Sequence, residues 1–458
     1  MSDDTPKLAA LVIACLASFT TPFMGSSINL ALPTISKEFD MNAIMLGWVA
    51  TSYLLASAMF LLPFGRAGDI YGRKKIFSYG IAIYTLGSLL SALSTSATML
   101  IISRVIQGLG GSMIFGTSVA ILTSVYPPEE RGKVLGINVA FVYLGLSLGP
   151  FLGGFLTQQL GWRSIFYLNL PIGVIILVLV FWKLKGEWAE ARGEKLDIPG
   201  SLIYGASLVL LILGLTRLPS LPGVWLALAG LAGLIIFFRW ESRAESPVFN
   251  VRVFRTNLVF ALSNAAALIH YSATFAVTFL LSLFLQYNKG LSPLAAGLIL
   301  ISQPIMMTAF SPLAGRLSDR IEPRMVSSLG MAITCVSIFL LAFINPGIHL
   351  AYIIIVLLFA GLGYALFSSP NTNAVMSSVE PRFLGVAAAT LGTMRTVGMM
   401  FSMATTMMVF SIYMGQVKIT PDLYGTFLNS ARILFIIFGV LCVFGIFSSM
   451  ARGKIHSE

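Results

Sequence analysis

Three ionisable side chains fall inside long apolar runs of this chain: His270 and Arg395 near mid-run, and Arg104 about six residues in, where it could also snorkel to the outer surface. Each restricts the chemistry available. A guanidinium stays protonated at any physiological pH, so inside a bilayer it must face a cavity, a partner or backbone carbonyls. Arg104 precedes Gln107 by three residues, one turn of a helix, and the two can form a polar network. Arg395 stands eleven residues into its run, too deep to snorkel, whereas Arg432 near the start of the last run is placed as an interfacial anchor. Of the three histidines only His270 falls mid-run, and an imidazole titrating near pH 6.5 is a natural proton carrier. Its plainer use is as a hydrogen-bonded core residue. Arg104, Gln107 and His270 are therefore the coupling candidates. All 18 acidic residues lie outside the apolar runs, leaving no membrane-embedded carboxylate. No metal-ligating cluster, nucleotide-binding loop or nucleophile–base pair is found, which argues against an enzyme and calls for no metal or cofactor. Cys15, Cys335 and Cys442 all sit in apolar runs, as small buried residues do.

The elements that carry these groups are membrane spans. The chain has 458 residues, 57% apolar and 10% charged, against roughly 25% charged in soluble proteins. Fourteen runs, near 8–32, 44–64, 76–96, 99–124, 134–157, 165–184, 198–217, 222–239, 257–286, 293–313, 326–345, 349–372, 384–412 and 427–450, are long enough to cross a bilayer as helices. The first is too long for a signal-peptide core and is expected to be retained. An even number of spans puts both termini on one side. With that side cytoplasmic, 21 of the 29 basic residues lie in cytoplasmic segments and 5 outside, as the positive-inside rule requires. The net charge of +11 is thus explained by membrane sidedness, not by a nucleic-acid partner. The expected location is the plasma (inner) membrane.

A glycine-rich charged segment, Gly65-Arg66-Ala67-Gly68-Asp69-Ile70-Tyr71-Gly72-Arg73-Lys74-Lys75, lies between the second and third spans. It returns 250 positions later as Gly315-Arg316-Leu317-Ser318-Asp319-Arg320. A repeat of this length points to a duplicated membrane bundle. We expect a loop here. Its glycines permit a tight turn, Asp69 accepts from a helix terminus, and Arg73 with its two lysines sits at the anionic inner leaflet. Gly65, Asp69, Gly72, Arg73, Gly315, Asp319 and Arg320 are the conformational-gate candidates. The segment Lys185 to Asp197, the most charged in the chain, is expected to be a solvated linker. In the fifth span Gly145, Gly149 and Gly153 recur at steps of four, beside Pro150 and Gly154, and form a small-residue stripe. Such stripes let helices approach closely in lipid, and we expect this one to form a seam between two bundles. Asn29, Asn138, Tyr143, Asn264, Tyr271, Gln303, Asn371 and Arg395 are candidates for a substrate cavity near the midplane. Met306, Met307, Met394, Met399, Met400 and Phe401 could add adaptable apolar walls, or simply pack.

These motifs carry a resemblance. The 65–75 segment is similar to the signature between helices 2 and 3 of the major facilitator superfamily. Arg104-Val105-Ile106-Gln107-Gly108-Leu109-Gly110-Gly111 is similar to its R-x-x-Q-G-x-G motif. Gly145-Leu146-Ser147-Leu148-Gly149-Pro150-Phe151-Leu152-Gly153-Gly154 matches the pattern associated with its exporters. Trp48 to Leu55, and Gly161-Trp162-Arg163 with Asn169, Pro171 and Gly173, resemble the fourteen-helix drug:proton antiporter branch. The sequence departs from that branch in the first span. There the pattern ending Asn29-Leu30-Ala31-Leu32-Pro33 has Met24 where an aspartate is usual.

The expected fold is an all-α membrane protein of two pseudo-symmetric six-helix bundles, residues 1–184 and 257–458, with two inserted helices and their linkers at 185–256. The resemblance implies a monomeric secondary transporter that exports small amphipathic or drug-like molecules by alternating access, with the proton as counter-ion. The alternative is a carrier of anionic, neutral or lipid-like substrates with other or no proton coupling, using Arg395 and Arg104 as positive contacts. A receptor built on a transporter fold is a third reading.

Overall fold

The computed structural model describes residues 7–249, 251–380 and 384–453. Every span becomes a helix, because a backbone in hydrocarbon must satisfy its own polar groups. In order these are α1 (Lys7–Phe39), α2 (Ala43–Tyr71), α3 (Arg73–Ala92), α4 (Ala97–Val125), α5 (Pro128–Leu160), α6 (Arg163–Lys183), α7 (Ile198–Thr216) and α8 (Leu221–Glu241). A short α9 (Val251–Thr256) precedes α10 (Leu258–Leu283), then α11 (Pro293–Leu300), α12 (Ser302–Arg320), α13 (Pro323–Leu341), α14 (Leu350–Ser377), α15 (Leu384–Tyr413) and α16 (Tyr424–Met450). The tenth span is split at Ile301 into α11 and α12, so the chain crosses fourteen times. Thirteen of these crossings are long and apolar enough on their own. The exception is α3, which opens with Arg73-Lys74-Lys75 and is diluted by Ser78, Thr85, Ser88 and Ser91.

Local sequence fixes the helix starts. Side chains of Asn42, Ser96, Asn257 and Ser292 accept from the backbone N–H three residues on, at 2.8, 3.2, 2.9 and 3.2 Å. Pro199, Pro293 and Pro323 stand in first turns, where no N–H is needed.

The helices gather in two groups. α1 lies along α5, α2 on α4, and α3 between α4 and α6. In the second group α10 packs on α15 and α16, α13 on α14 and α16, and α12 on α14. The groups meet where α2 touches α15, α5 touches α11 and α12, and α1 touches α10. The inserted α7 and α8 form a hairpin, with α7 against both α2 and α15. Its backbones are close: a Cβ added to Gly230 would lie 2.5 Å from the Leu211 nitrogen.

Two expectations about connecting segments are corrected. The 65–75 segment is not a loop. α2 continues through Gly65 and Asp69 to Tyr71, and only Gly72, at φ 117°, separates it from α3. One left-handed residue suffices because glycine has no Cβ to clash. Nor is 185–197 a free solvated linker. Its backbone bonds directly to the α2–α3 junction, Ala191 N–H donating to the Asp69 carbonyl and Arg73 N–H to the Trp188 carbonyl, both at 2.9 Å.

Candidate transport pathway and its junctions

The α2–α3 junction is a compact ion cluster. Arg73 is 6% exposed; its Nε donates to Asp69 Oδ1 at 2.9 Å, and its Nη1 donates to Glu190 Oε1 and Ser124 Oγ, each at 2.7 Å. Asp69 thus pairs with the first residue of the next helix, one turn on. Glu187 Oε1 accepts from Lys74 N–H at 2.8 Å and Oε2 from Lys75 N–H at 3.2 Å, which caps α3 with a carboxylate at its positive end. Arg66 pairs with Glu194, which also accepts from Ser246 Oγ at 3.2 Å in the segment after α8. The sequence signals the acids of 185–197 only as a charge run; their docking depends on the tertiary fold. In the second repeat Gly315 is helical, Arg320 is exposed, and Ser318 Oγ accepts from Asn373 Nδ2 at 3.1 Å. The side chain of Asp319 lies outside the described residues.

Arg104 is 1% exposed, so it does not snorkel. Its Nε donates to the Val49 carbonyl at 3.1 Å, Nη1 donates to Gln107 Oε1, and its guanidinium carbon lies 4.5 Å from the centre of the Tyr53 ring. Gln107 Nε2 continues to Ser88 Oγ at 2.7 Å. Neutral acceptors and a ring face replace the missing carboxylate. This ties α2, α3 and α4 together, and the pairing of Arg104 with Gln107 follows the spacing in the sequence.

The glycine stripe of α5 is placed differently from expectation. Gly145, Gly149 and Gly153 face α1, within the same group: a Cβ on Gly145 would lie 2.5 Å from the Phe19 oxygen, and one on Gly153 2.7 Å from Ser27 Cα. Ser27 Oγ also donates to the Gly149 carbonyl at 2.9 Å. The contact between groups is the next face round, because residues one apart on a helix turn by about 100°. There Ser147 Oγ is 3.1 Å from Thr308 Oγ1 of α12, and a Cβ on Gly154 would lie 2.5 Å from the Pro293 oxygen of α11. Gln158 accepts from the Leu294 N–H at 3.3 Å. At the same end Ser282 Oγ of α10 donates to the Asn29 carbonyl of α1 at 2.7 Å.

The opposite half of that face is open. Gly132 and Gly136 stand eighteen residues, five turns, before Pro150 and Gly154, yet a Cβ on either would meet nothing within 4 Å. The two groups meet at the end remote from the termini, whereas at the other end an added Cβ on Gly132 or Gly136 has no neighbour. Trp162 and Arg163 brace the sealed end, donating to Glu38 of α1 at 2.7 and 2.9 Å.

The polar cavity candidates divide. Asn138 is paired with Ser18 at 2.9 Å between α5 and α1. Asn264 is fully buried and donates to the Phe260 carbonyl at 2.9 Å. Asn371 is taken up in a cluster absent from the sequence reading. Its Oδ1 accepts from Arg452 Nη1 at 2.7 Å and its Nδ2 donates to the Ser263 carbonyl at 3.1 Å. Arg452, just beyond α16, is completely buried; it also donates to the Pro323 carbonyl at 2.9 Å and to Ser327. Burial pushes its pKa down to about 10, so it stays charged at neutral pH. Asn138 and Asn371 are interhelical fasteners and Asn264 bonds back onto its own helix, and their positions alone did not distinguish those uses from cavity lining. Asn29 is buried beside the sealed contact.

Tyr143, Gln303 and Arg395 remain partly exposed at mid-span. Tyr271 stands next to Arg395, its ring centre 5.6 Å from the guanidinium carbon and 5.6 Å from the ring of Tyr364. His270 is fully enclosed, stacked 4.0 Å from Phe367 and edge-on to Tyr364 at 4.8 Å, with no hydrogen-bond partner for either ring nitrogen among the described residues. Tyr364 and Phe367 were not singled out in the sequence, because aromatic residues in apolar spans carry no distinguishing pattern.

The family model described as Major Facilitator Superfamily matches residues 14–402 and 264–454. The chain belongs to the major facilitator superfamily. It is 32% identical over 413 residues to the riboflavin transporter RibZ of Clostridioides difficile, covering 90% of this chain and 89% of that protein. It is 30% identical to the multidrug resistance protein Stp of Mycobacterium tuberculosis, over 86% of this chain and 74% of Stp. Among solved structures, a D-xylose–proton symporter superimposes with a TM-score of 0.68 at 15% identity, covering 97% of each chain, which shows the shared fold. This member of the superfamily is a membrane transporter of small molecules and not an enzyme.

Proposed function

We propose that this transporter exports small amphipathic or drug-like compounds by alternating access, with the proton as counter-ion. It works as a monomer in the plasma membrane with both termini cytoplasmic. The observation that carries the reading is the contrast along one face of α5, packed against α11 at Gly154 and open at Gly132 and Gly136. A face closed at one end and parted at the other is the geometry of a carrier caught open to one side. Residues 1–184 and 257–458 then rock against each other around Tyr143, Tyr271, Gln303 and Arg395, while the α7–α8 pair rides between them. Relatives named for riboflavin transport and multidrug resistance support a planar or amphipathic cargo.

Flux of a cationic dye into proteoliposomes, with and without an imposed pH gradient, tests the coupling. Flux that follows the gradient and is lost in His270→Ala supports proton antiport through that imidazole. Flux indifferent to the gradient refutes it. One observation favours a second reading, with an anionic, neutral or lipid-like cargo and other or no proton coupling. Among the described helices every acidic residue stands in or next to a terminal turn: Glu38, Asp69, Glu129, Glu130, Glu241 and Asp319. No carboxylate is placed to carry a proton or a cation through the midplane.

A further inference from the structure

The arginines near or within the bundle are not equivalent. Arg73 is held by two carboxylates, Arg104 by a carbonyl, an amide oxygen and a ring face, and Arg452 by acceptors from α10, α13 and α14. Arg395 is different. Among the described residues its one hydrogen bond goes from Nη2 to Thr372 Oγ1 of α14, and its Nε, like that of Arg452, is buried without a partner. It stands eleven residues along α15, about 17 Å from that helix's start at 1.5 Å per residue. With five N–H donors, it keeps most of them unspent. It is also partly exposed, unlike Arg104 and Arg452.

A guanidinium at mid-span without a counter-charge is expensive, and the chain supplies no acid at that depth to offset it. Acceptors for the remaining donors come from outside the chain, from water or from a bound anion. The surroundings specify what carries the anion. Tyr271 presents a ring 5.6 Å from the guanidinium carbon, Tyr364 stands edge-on to Tyr271 at 5.6 Å, and His270 is edge-on to Tyr364 at 4.8 Å. Hydroxyl-bearing rings beside a guanidinium with unspent N–H donors suit a flat aromatic body with a carboxylate, sulfonate or phosphate at its edge.

We propose that Arg395 binds the anionic group of an aromatic substrate, whose ring system packs against Tyr271 and Tyr364. The assignment rests on the transport reading above, but not on proton antiport. It also removes the need for a membrane carboxylate. An anion leaves a cell down the inside-negative potential, and the ~2.3 kcal/mol gained per charge across 100 mV corresponds to about fifty-fold accumulation outside.

Two xanthene dyes of similar shape and opposite charge test this: fluorescein, a dianion at pH 8, and rhodamine 6G, a cation. Binding is read by fluorescence polarisation on the purified full-length chain, and flux in proteoliposomes with a potassium–valinomycin potential. We expect fluorescein to bind and to move with the potential. Arg395→Gln should weaken its binding at least tenfold and Arg395→Lys less, with rhodamine binding unchanged or tighter, which also verifies folding. Fluorescein binding untouched by Arg395→Gln, or both dyes weakened alike, overturns the assignment. If the wild-type chain moves rhodamine alone, the anion site falls while the transport reading stands. If it binds and moves neither, both fall together.

Discussion

A single methyl group at Gly154 should shift the carrier's resting state. In the sealed end a Cβ on that residue would lie 2.5 Å from the Pro293 oxygen, 2.9 Å from its carbonyl carbon and 3.0 Å from Leu294 Cα. All three are backbone atoms, so no rotamer change relieves the overlap, and α5 must back away from α11. Overpacking of this kind costs about 1–3 kcal/mol. The strain exists only while this end is closed, so it enters the equilibrium between the two access states in full. One to 3 kcal/mol corresponds to roughly a five- to 150-fold loss of the described state relative to its opposite. Neighbouring Gly153 is the control. Its Cβ would meet Ser27 Cα at 2.7 Å within the same helix group, so that strain is present in both states. Distances between spin labels on Gln159 and Asn345, at the sealed end, read the populations by double electron–electron resonance. Gly154→Ala should populate a longer distance, Gly153→Ala should lower the melting temperature without changing the distribution, and Gly136→Ala, which meets nothing, should do neither. An unchanged distribution in Gly154→Ala would refute the claim that this face is the moving seam.

Glu190→Gln removes one carboxylate from Arg73 but leaves Asp69; because Glu190 is exposed, stability should fall by less than about 1 kcal/mol, while hydrogen exchange of residues 185–197 should accelerate. Glu187→Gln should do the same and expose the start of α3, checked by the same exchange experiment. Arg104→Leu strands the Gln107 amide oxygen and the Val49 carbonyl in a dry site, a cost of about 2–4 kcal/mol, read as a drop in the detergent melting temperature. Arg452→Ala should destabilise to a similar degree, since Asn371 and Ser327 lose a charged donor, with rhodamine affinity in the surviving folded fraction unchanged.

The sequence alone determined the membrane-spanning architecture, because twenty-residue apolar runs and sorted charges report the solvent the chain must face. It also located the repeat and the Arg104–Gln107 pair, which depend only on spacing along one helix. What it left open were facts about neighbours. Steps of four at Gly145, Gly149 and Gly153 showed that a face of α5 is smooth, but not that α1 covers it while Pro150 and Gly154 meet α11. The charge of 185–197 showed polarity, and only the fold carried Glu187, Glu190 and Glu194 onto the α2–α3 junction. Asn138, Asn264, Asn371 and Arg395 looked alike as polar residues in apolar runs. Three are spent on partners brought from distant helices or on their own backbone, whereas Arg395 spends one donor on Thr372. Periodicity along a chain fixes which way a residue points, whereas its charge balance is set by what tertiary packing brings to that side.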